Sequence, residues 1–384
     1  MDNDLIVWTP EICNNKKLCR PYVKKTRRNK KSSYLSLLCS FAMILCSICY
    51  AKNEGMLAVL SNKIINEMND KIPISDLSST PSSKPEKTTL VSATPIDLVA
   101  TEQDGDKNET RSIYDYEPKE IPHGFYRIIP YDLTSEADGI LKIFNESYFQ
   151  VDPAEYAAKE QREAAINISK DEPTILIIHT HGTEGFSDKN TDIYSDTYNV
   201  PRSYDVSKNI IAVGRTMAEV FEKNGINTIH CDIMHDAESY LGAYARSAET
   251  IKRYIEAYPS ICYIFDIHRD SVLLSDKTKT RPVTLIDGKT VAQIMTVVGT
   301  EGFGARHPEW KVNLEFALKL QSKMNENNIG FARSVCLRNS SYNQELGKYS
   351  LLFEVGSCGN SLDEAKEAGR ILAEHISSMI KTGW

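Results

Sequence analysis

A chain of 384 residues, 41% hydrophobic and 25% charged, has a globular composition and is long enough for two domains or one large domain with appendages. Its 45 basic and 52 acidic residues leave a formal charge of −7, which excludes the strongly basic balance of a nucleic-acid binder. No nucleic-acid partner is expected.

The charge is unevenly placed. Residues 16–31, "KKLCRPYVKKTRRNKK", are dominated by lysine and arginine, and residues 34–51, "YLSLLCSFAMILCSICYA", carry no charge at all. The uncharged run is close to the roughly 20 residues that cross a bilayer as a helix. The basic flank on its N-terminal side places the first residues inside and the rest outside. The expected organisation is therefore a basic cytoplasmic tail (1–33) and a transmembrane helix (34–51). The run is long for a signal-peptide core, so it is expected to stay as a single-pass anchor. Residues 52–110 contain "SDLSSTPSSKPEKTTLVSATP", rich in Ser, Thr, Pro and Lys and without periodicity. Such a segment cannot bury enough apolar surface to order itself, and a disordered stalk is expected. Within it, "MLAVLSNKIINEMN" (56–69) has helical spacing. Residues 111–172 hold two strand-like stretches, "HGFYRIIPYDL" and "GILKIFNESYFQVDP", and read as a small folded lead-in to a main domain over 173–384.

That domain alternates strand-like and helix-like segments. "TILII" is a β-branched run of the kind a buried parallel strand shows. "SKNIIAVGRTMAEVFEKNG" spaces Ile210, Val213, Met217, Val220 and Phe221 on one helical face, with Gly225 at its end. "INTIH" follows as a strand, then "DAESYLGAYARSAETIKRYIEAYP" as a helix opened by a capping Asp236. "ICYIFDIH" and "VAQIMTVVG" are strands, "VNLEFALKLQSKMNEN" a helix, and "GFARSVCL" and "SLLFEVGS" strands. A last helix, "SLDEAKEAGRILAEHISSMI", is capped by Ser361. The alternation predicts an α/β three-layer sandwich with a mostly parallel sheet joined by crossover helices. Five of the nine cysteines lie in or before the apolar run; Cys231, Cys262, Cys336 and Cys358 are widely spaced, so no disulfide framework is expected.

In such a sheet ligands bind at the carboxyl ends of strands. The first strand ends in His179, Thr180 and His181, with Glu184 three residues on. "DIHRD" ends another with Asp266, His268, Arg269 and Asp270, and "FEVGS" places Glu354 in an otherwise apolar run. Each piece has a plain alternative: His-x-His as a satisfied structural pair, Asp266 and His268 as a hydrogen-bonded pair. Together at one edge they make a candidate zinc site, in which two imidazoles and a carboxylate hold the ion and a second carboxylate serves as base. Of the other histidines, His230 and His235 flank the second strand's exit, either within reach of the cleft edge. His307 reads as a solvated loop residue or as lining the groove, and His123 and His375 as exposed.

The stretches "IIHTHGTEGF", "NIIAVGRTMAEVFEKNGI", "DIHRDS", "HPEWKVNLEFALKLQ" and "LLFEVGSCGNSLDEAKEAGRILAEHI" resemble the stage II sporulation protein P family, membrane-anchored peptidoglycan hydrolases of endospore-forming Firmicutes. The family is similar to zinc-dependent N-acetylmuramoyl-L-alanine amidases. The resemblance implies the sandwich fold, a Zn2+ cofactor, and cleavage between the glycan's lactyl group and the stem peptide. It also implies an endopeptidase activity on cross-links. The implied setting is forespore engulfment, in the septal space between mother cell and forespore. The implied partners are peptidoglycan and stage II sporulation proteins D and M. Carried onto this chain, His181 and His268 match the zinc histidines and Glu354 the catalytic glutamate. The intermediate glutamate ligand has no counterpart at the start of the first helix, "SYDVSKN"; Glu184 is the nearest substitute, and His179 the other residue able to fill the place. The alternatives are a zinc peptidase acting on cross-links only and a non-catalytic wall-binding scaffold.

Overall fold

The computed structural model describes residues 99–100, 111–114, 120–134, 141–157, 168, 171–189, 191–195, 201–274 and 276–384. The expected tail and anchor, and all of the expected stalk except residues 99–100, lie outside the described residues. Among the described residues no helix is long and apolar enough to cross a membrane.

In chain order the strands are β1 (Val99–Ala100), β2 (Arg111–Ser112), β3 (Phe125–Tyr131), β4 (Ile143–Asn145), β5 (Ile175–Ile178), β6 (Ile193–Ser195) and β7 (Thr228–His230). They continue with β8 (Tyr263–Asp270), β9 (Lys279–Ile286), β10 (Lys289–Ala292), β11 (Ile294–Gly299), β12 (Val335–Arg338) and β13 (Tyr349–Ser357). The helices are α1 (Pro153–Ala157), α2 (Ile210–Lys223), α3 (Ala243–Ala257), α4 (Trp310–Asn327) and α5 (Leu362–Thr382).

The main sheet has the order β4-β12-β11-β13-β8-β5-β7. All four residues of β5 are fully buried, as an apolar run without alternation requires when both faces are covered. The faces separate cleanly by parity. Ile175 and Ile177 share a core with residues of α2, α4 and α5, whereas Leu176 and Ile178 pack with Ile251 of α3. Three layers result: α2, α4 and α5, then the sheet, then α3. The fold is mixed α/β.

β5, β7, β8 and β13 run parallel, but β11 is antiparallel to β13 and parallel to β12, which is parallel to β4. The expectation of a crossover helix between every pair of strands is corrected here. Between β8 and β11 the chain makes the hairpin β9–β10 instead, turning at Asp287 (φ 51°) and Gly288 (φ 74°). An Asp-Gly pair with both residues at positive φ is the favoured two-residue hairpin turn. The chain therefore re-enters the sheet reversed. β9 and β10 belong to a second sheet of order β10-β9-β3-β6. Residues 111–172 thus supply strands to both sheets, β3 to the second and β4 to the edge of the main one.

Helix ends follow local chemistry. Asn209 caps α2 by accepting from Ile211 N, and Gly225 follows its end at φ 76°. Ser361 and Glu364 form a capping box at α5, the reciprocal pairing that satisfies two orphan donors. Asp236 does not cap α3. That helix starts seven residues later behind Gly242, held at φ 79°, and Asp236 is buried against Thr183 and Arg202.

Candidate active site

Because β5, β8 and β13 are parallel neighbours, their carboxyl ends meet at one edge of the sheet. His181 arrives from the end of β5. Asp266 and His268, two apart on β8, project to the same side, and Glu354 of β13 stands in register with His268. Glu184 is brought in by a tight turn: its N–H donates to His181 O at 3.1 Å and its carbonyl accepts from Ile210 N at 2.8 Å. The start of α2 thereby pins the turn beside the strand end.

Glu184 lies between the two imidazoles, Oε1 3.7 Å from His181 Nδ1 and Oε2 3.6 Å from His268 Nδ1. All three side chains are buried, and one ligand atom from each falls within 4.8 Å of the others. Two donors about 2.0–2.2 Å from a shared tetrahedral ion stand roughly 3.3–3.6 Å apart, so the spacing fits a zinc-sized cation better than direct hydrogen bonds. On the far side of the ring His268 Nε2 is 3.0 Å from Asp266 Oδ1, off the line of a hydrogen bond. Asp266 is itself fixed by Thr180, whose N–H and Oγ1 donate to it at 2.8 and 2.6 Å. A carboxylate behind a ligating imidazole is the usual orienting arrangement. His181, Glu184 and His268 are the residues able to hold the ion.

The charges within the cluster act strongly on one another. Burial opposes charge on His268, but Asp266, Glu184 and Glu354 outweigh it and raise its pKa to about 10. His181, buried and facing His268, is lowered to about 4. Burial would raise Asp266, yet His268 and the Thr180 hydrogen bonds hold it down to about 2. Glu184 is pushed up, chiefly by burial. Glu354 is pushed up to about 8 by burial and by the charges of Asp270 and Glu184. Its Oε2 is buried without a hydrogen-bond partner. A carboxyl held at about 8 keeps its proton at neutral pH, and a cation among the neighbouring donors would lower it toward the ionised form a base needs.

The remaining sequence candidates fall into other roles. His179 points away from the cluster: Nδ1 donates to Ile267 O at 3.0 Å, leaving Nε2 to accept from His230 Nε2 at 3.0 Å. Both of its ring nitrogens are thus engaged away from His181, Glu184 and His268. His230 and His235 are buried behind the strand ends instead of reaching the cleft edge, His235 Nδ1 donating to His179 O at 2.8 Å. Arg269 is buried and braces the Glu184 turn, donating from N to Glu184 Oε2 and from Nε and Nη2 to the carbonyls of Gly185 and Pro201. Asp270 pairs with Arg333 at 2.9 Å. His307 is fully buried, accepting from Asn313 Nδ2 at 3.2 Å. It follows β11, whose reversed direction carries that end to the opposite edge of the sheet. His375 is partly buried and accepts from Asn328 Nδ2; His123 is exposed.

Sequence reasoning missed two site tyrosines. Tyr240 stacks on His181 at 4.4 Å and 22°. Tyr244 meets His181 edge-on at 5.5 Å and lies parallel to His268 at 6.5 Å. Both sit at the entrance of α3, where the signal was their i, i+4 spacing ahead of the apolar stripe. Arg333 was also missed, since only the reversed β12 brings the residues before it to this edge.

Stage II sporulation protein P of Bacillus subtilis (strain 168) is 26% identical over 230 residues, 57% of this chain and 54% of that protein. The aligned part is thus about half the length of that relative. Among solved structures, an N-acetylmuramoyl-L-alanine amidase from Clostridium difficile 630 overlaps at TM-score 0.32 and 14% identity, covering 55% of this chain and 98% of that one. The CwlD amidase of Clostridioides difficile, in complex with the GerS lipoprotein, overlaps at TM-score 0.33 and 16% identity, covering 55% and 95%. The family described as stage II sporulation protein P matches residues 66–377, and the chain belongs to that family.

Proposed function

We propose that this chain is a zinc-dependent peptidoglycan hydrolase that cleaves the amide between the muramoyl lactyl group and the first alanine of the stem peptide. The observation that carries this reading is the buried His181–Glu184–His268 donor set with Glu354 beside it at a sheet edge, in a chain of a sporulation family. An N-terminal anchor at 34–51, an ectodomain in the septal space, a role in engulfment with stage II sporulation proteins D and M, and additional cutting of peptide cross-links complete the proposal.

His181, Glu184 and His268 would hold a zinc ion, which would supply Lewis acidity for amide hydrolysis at neutral pH. Asp266 places a carboxylate behind the His268 ring, on the side away from Nδ1, and Arg269 keeps the Glu184 carboxylate aimed between the imidazoles. Glu354 accepts the proton of the attacking water on its carboxylate and delivers it to the departing alanine nitrogen. Tyr240 covers one face of His181, shielding it from bulk water. Incubation of the purified protein with sacculi tests the reading. Free stem peptides carrying an intact alanine amine are expected. Cut cross-links alone would make it a peptidase, and no release would leave a wall-binding scaffold.

A further inference from the structure

Tyr244 is the second residue of α3. Tyr244, Ser247 and Ile251 fall on one helical face. Ser247 Oγ is in hydrogen-bond contact with Thr180 Oγ1 at 2.8 Å, and Ile251 packs with Leu176 and Ile178, so this face lies on β5. Helical side chains lean toward their own N-terminus, which carries Tyr244 past the strand end and over the site. Its ring is held by His181, His268 and Tyr342, the last at 5.6 Å. Its backbone carbonyl is held by Asn343 Nδ2 at 2.8 Å.

The ring is fixed, yet among the described residues its hydroxyl has no hydrogen-bond partner. Tyr244 is half-buried and its hydroxyl is not among the buried unpartnered polar atoms, so the O–H opens to solvent, where a substrate oxygen can replace water on it. The charged groups around it, Asp266, Glu354 and Glu184, are acceptors, and a phenol, with an ordinary pKa of about 10, is a neutral donor at pH 7. The nearby cationic donors are committed elsewhere. Arg202 binds Thr183 and Asp236, Arg269 the carbonyls of Gly185 and Pro201, and Arg333 binds Asp270. A neutral donor on a ring packed against both His181 and His268 is what an amide needs when water adds and negative charge grows on the carbonyl oxygen.

We propose that Tyr244 is a catalytic residue, its phenol donating a hydrogen bond to the carbonyl oxygen of the scissile amide as the tetrahedral centre forms. This rests on the amide-hydrolase reading above. The Tyr244 O–H bond is not broken; the proton that moves is the water's, by way of Glu354 to the leaving nitrogen.

The test is Tyr244→Phe in the 384-residue chain, purified in detergent and loaded with zinc. Zinc per protein, kcat and KM on a soluble glycan–peptide substrate, and affinity for its phosphinate analogue are measured. Removing one such donor costs about 10²–10³ in kcat. The expected result is a kcat loss of that size with KM and zinc content unchanged, and weaker phosphinate binding. In a Glu354→Gln background the same change should leave sacculus binding unaltered. A kcat within threefold of the unaltered chain, or a loss matched by lost zinc, would overturn the assignment. An unaltered chain that releases no peptide would overturn the hydrolase reading first, and this role with it.

Discussion

Asp266 and His268 are charged partners in the metal-free protein, and their pKa values give a pH dependence with a definite sign. His268 stands at about 10, above its unfolded value of about 6.5, so its contribution is complete below about 6.5 and fades as pH rises toward 10. Asp266 stands at about 2, below its unfolded value of about 3.9, so its contribution is complete above about 3.9 and fades as pH falls toward 2. Zinc competes with the His268 proton, whereas His181, at about 4, is already neutral above pH 5. The rise in Tm on adding zinc should therefore grow from pH 6 to pH 9, with net proton release on binding, read by calorimetry in buffers of different ionisation enthalpy. A zinc effect independent of pH would show that His268 is not displaced. Asp266→Asn removes the orienting carboxylate and should weaken zinc affinity about 10–100-fold, measured by competition with a chelating dye. Glu354→Gln, in contrast, should keep zinc and lose about 10²–10⁴ in rate. Loss of zinc in that variant would make Glu354 a ligand and leave the base role to another carboxylate.

At the scale of elements, α2 sits close to the strand ends because Gly214 lets it. A Cβ there would lie 2.5 Å from His179 Nε2 and 2.9 Å from His230 Nε2, so the imidazole pair fills the space a side chain would need. Gly214→Ala should gain helix propensity yet destabilise by about 1–3 kcal/mol through overpacking, and loosen the Glu184 turn that Ile210 holds. Denaturant unfolding and zinc content read both effects; an unchanged midpoint would mean the helix shifts freely. The pair also explains what the sequence could and could not disclose. β5, β8, β13, α2 and α5 were legible because apolar runs, helical spacing and the Ser361 cap are local signals. So was the meeting of His181, Glu184, His268 and Glu354 at one edge, since parallel strands bring their exits together. That His179 turns its ring to His230 was not legible, because strand parity does not extend past Ile178 into the turn. β9 and the reversal of β11 were missed although "IDGK" carries a hairpin turn, since polar Lys279, Thr280 and Arg281 masked the strand. Tyr244 and Arg333 depended on α3's late start and on that reversal, which are tertiary facts.

For the whole molecule, the proposed substrate decides where the site must stand, since peptidoglycan lies outside the cytoplasmic membrane. The uncharged residues 34–51 and the basic residues before them support an inside tail and an outside site, because lysine and arginine are retained on the cytoplasmic side. The donor set needs no nucleotide or redox cofactor, only an ion and water, which suits that compartment. The proposed topology makes a direct prediction. Protease added outside intact protoplasts should remove the folded region at 120–384 and leave a small membrane-held fragment that contains residues 1–33. Reversing the charge bias, by replacing Lys24, Lys25, Arg27, Arg28, Lys30 and Lys31 with neutral residues, should leave part of the population protected. Complete protection of the unaltered protein would place the site on the cytoplasmic side, where its proposed substrate is absent, and the hydrolase role would fall with the topology. Complete digestion, together with peptide release from sacculi, joins the metal site to its substrate.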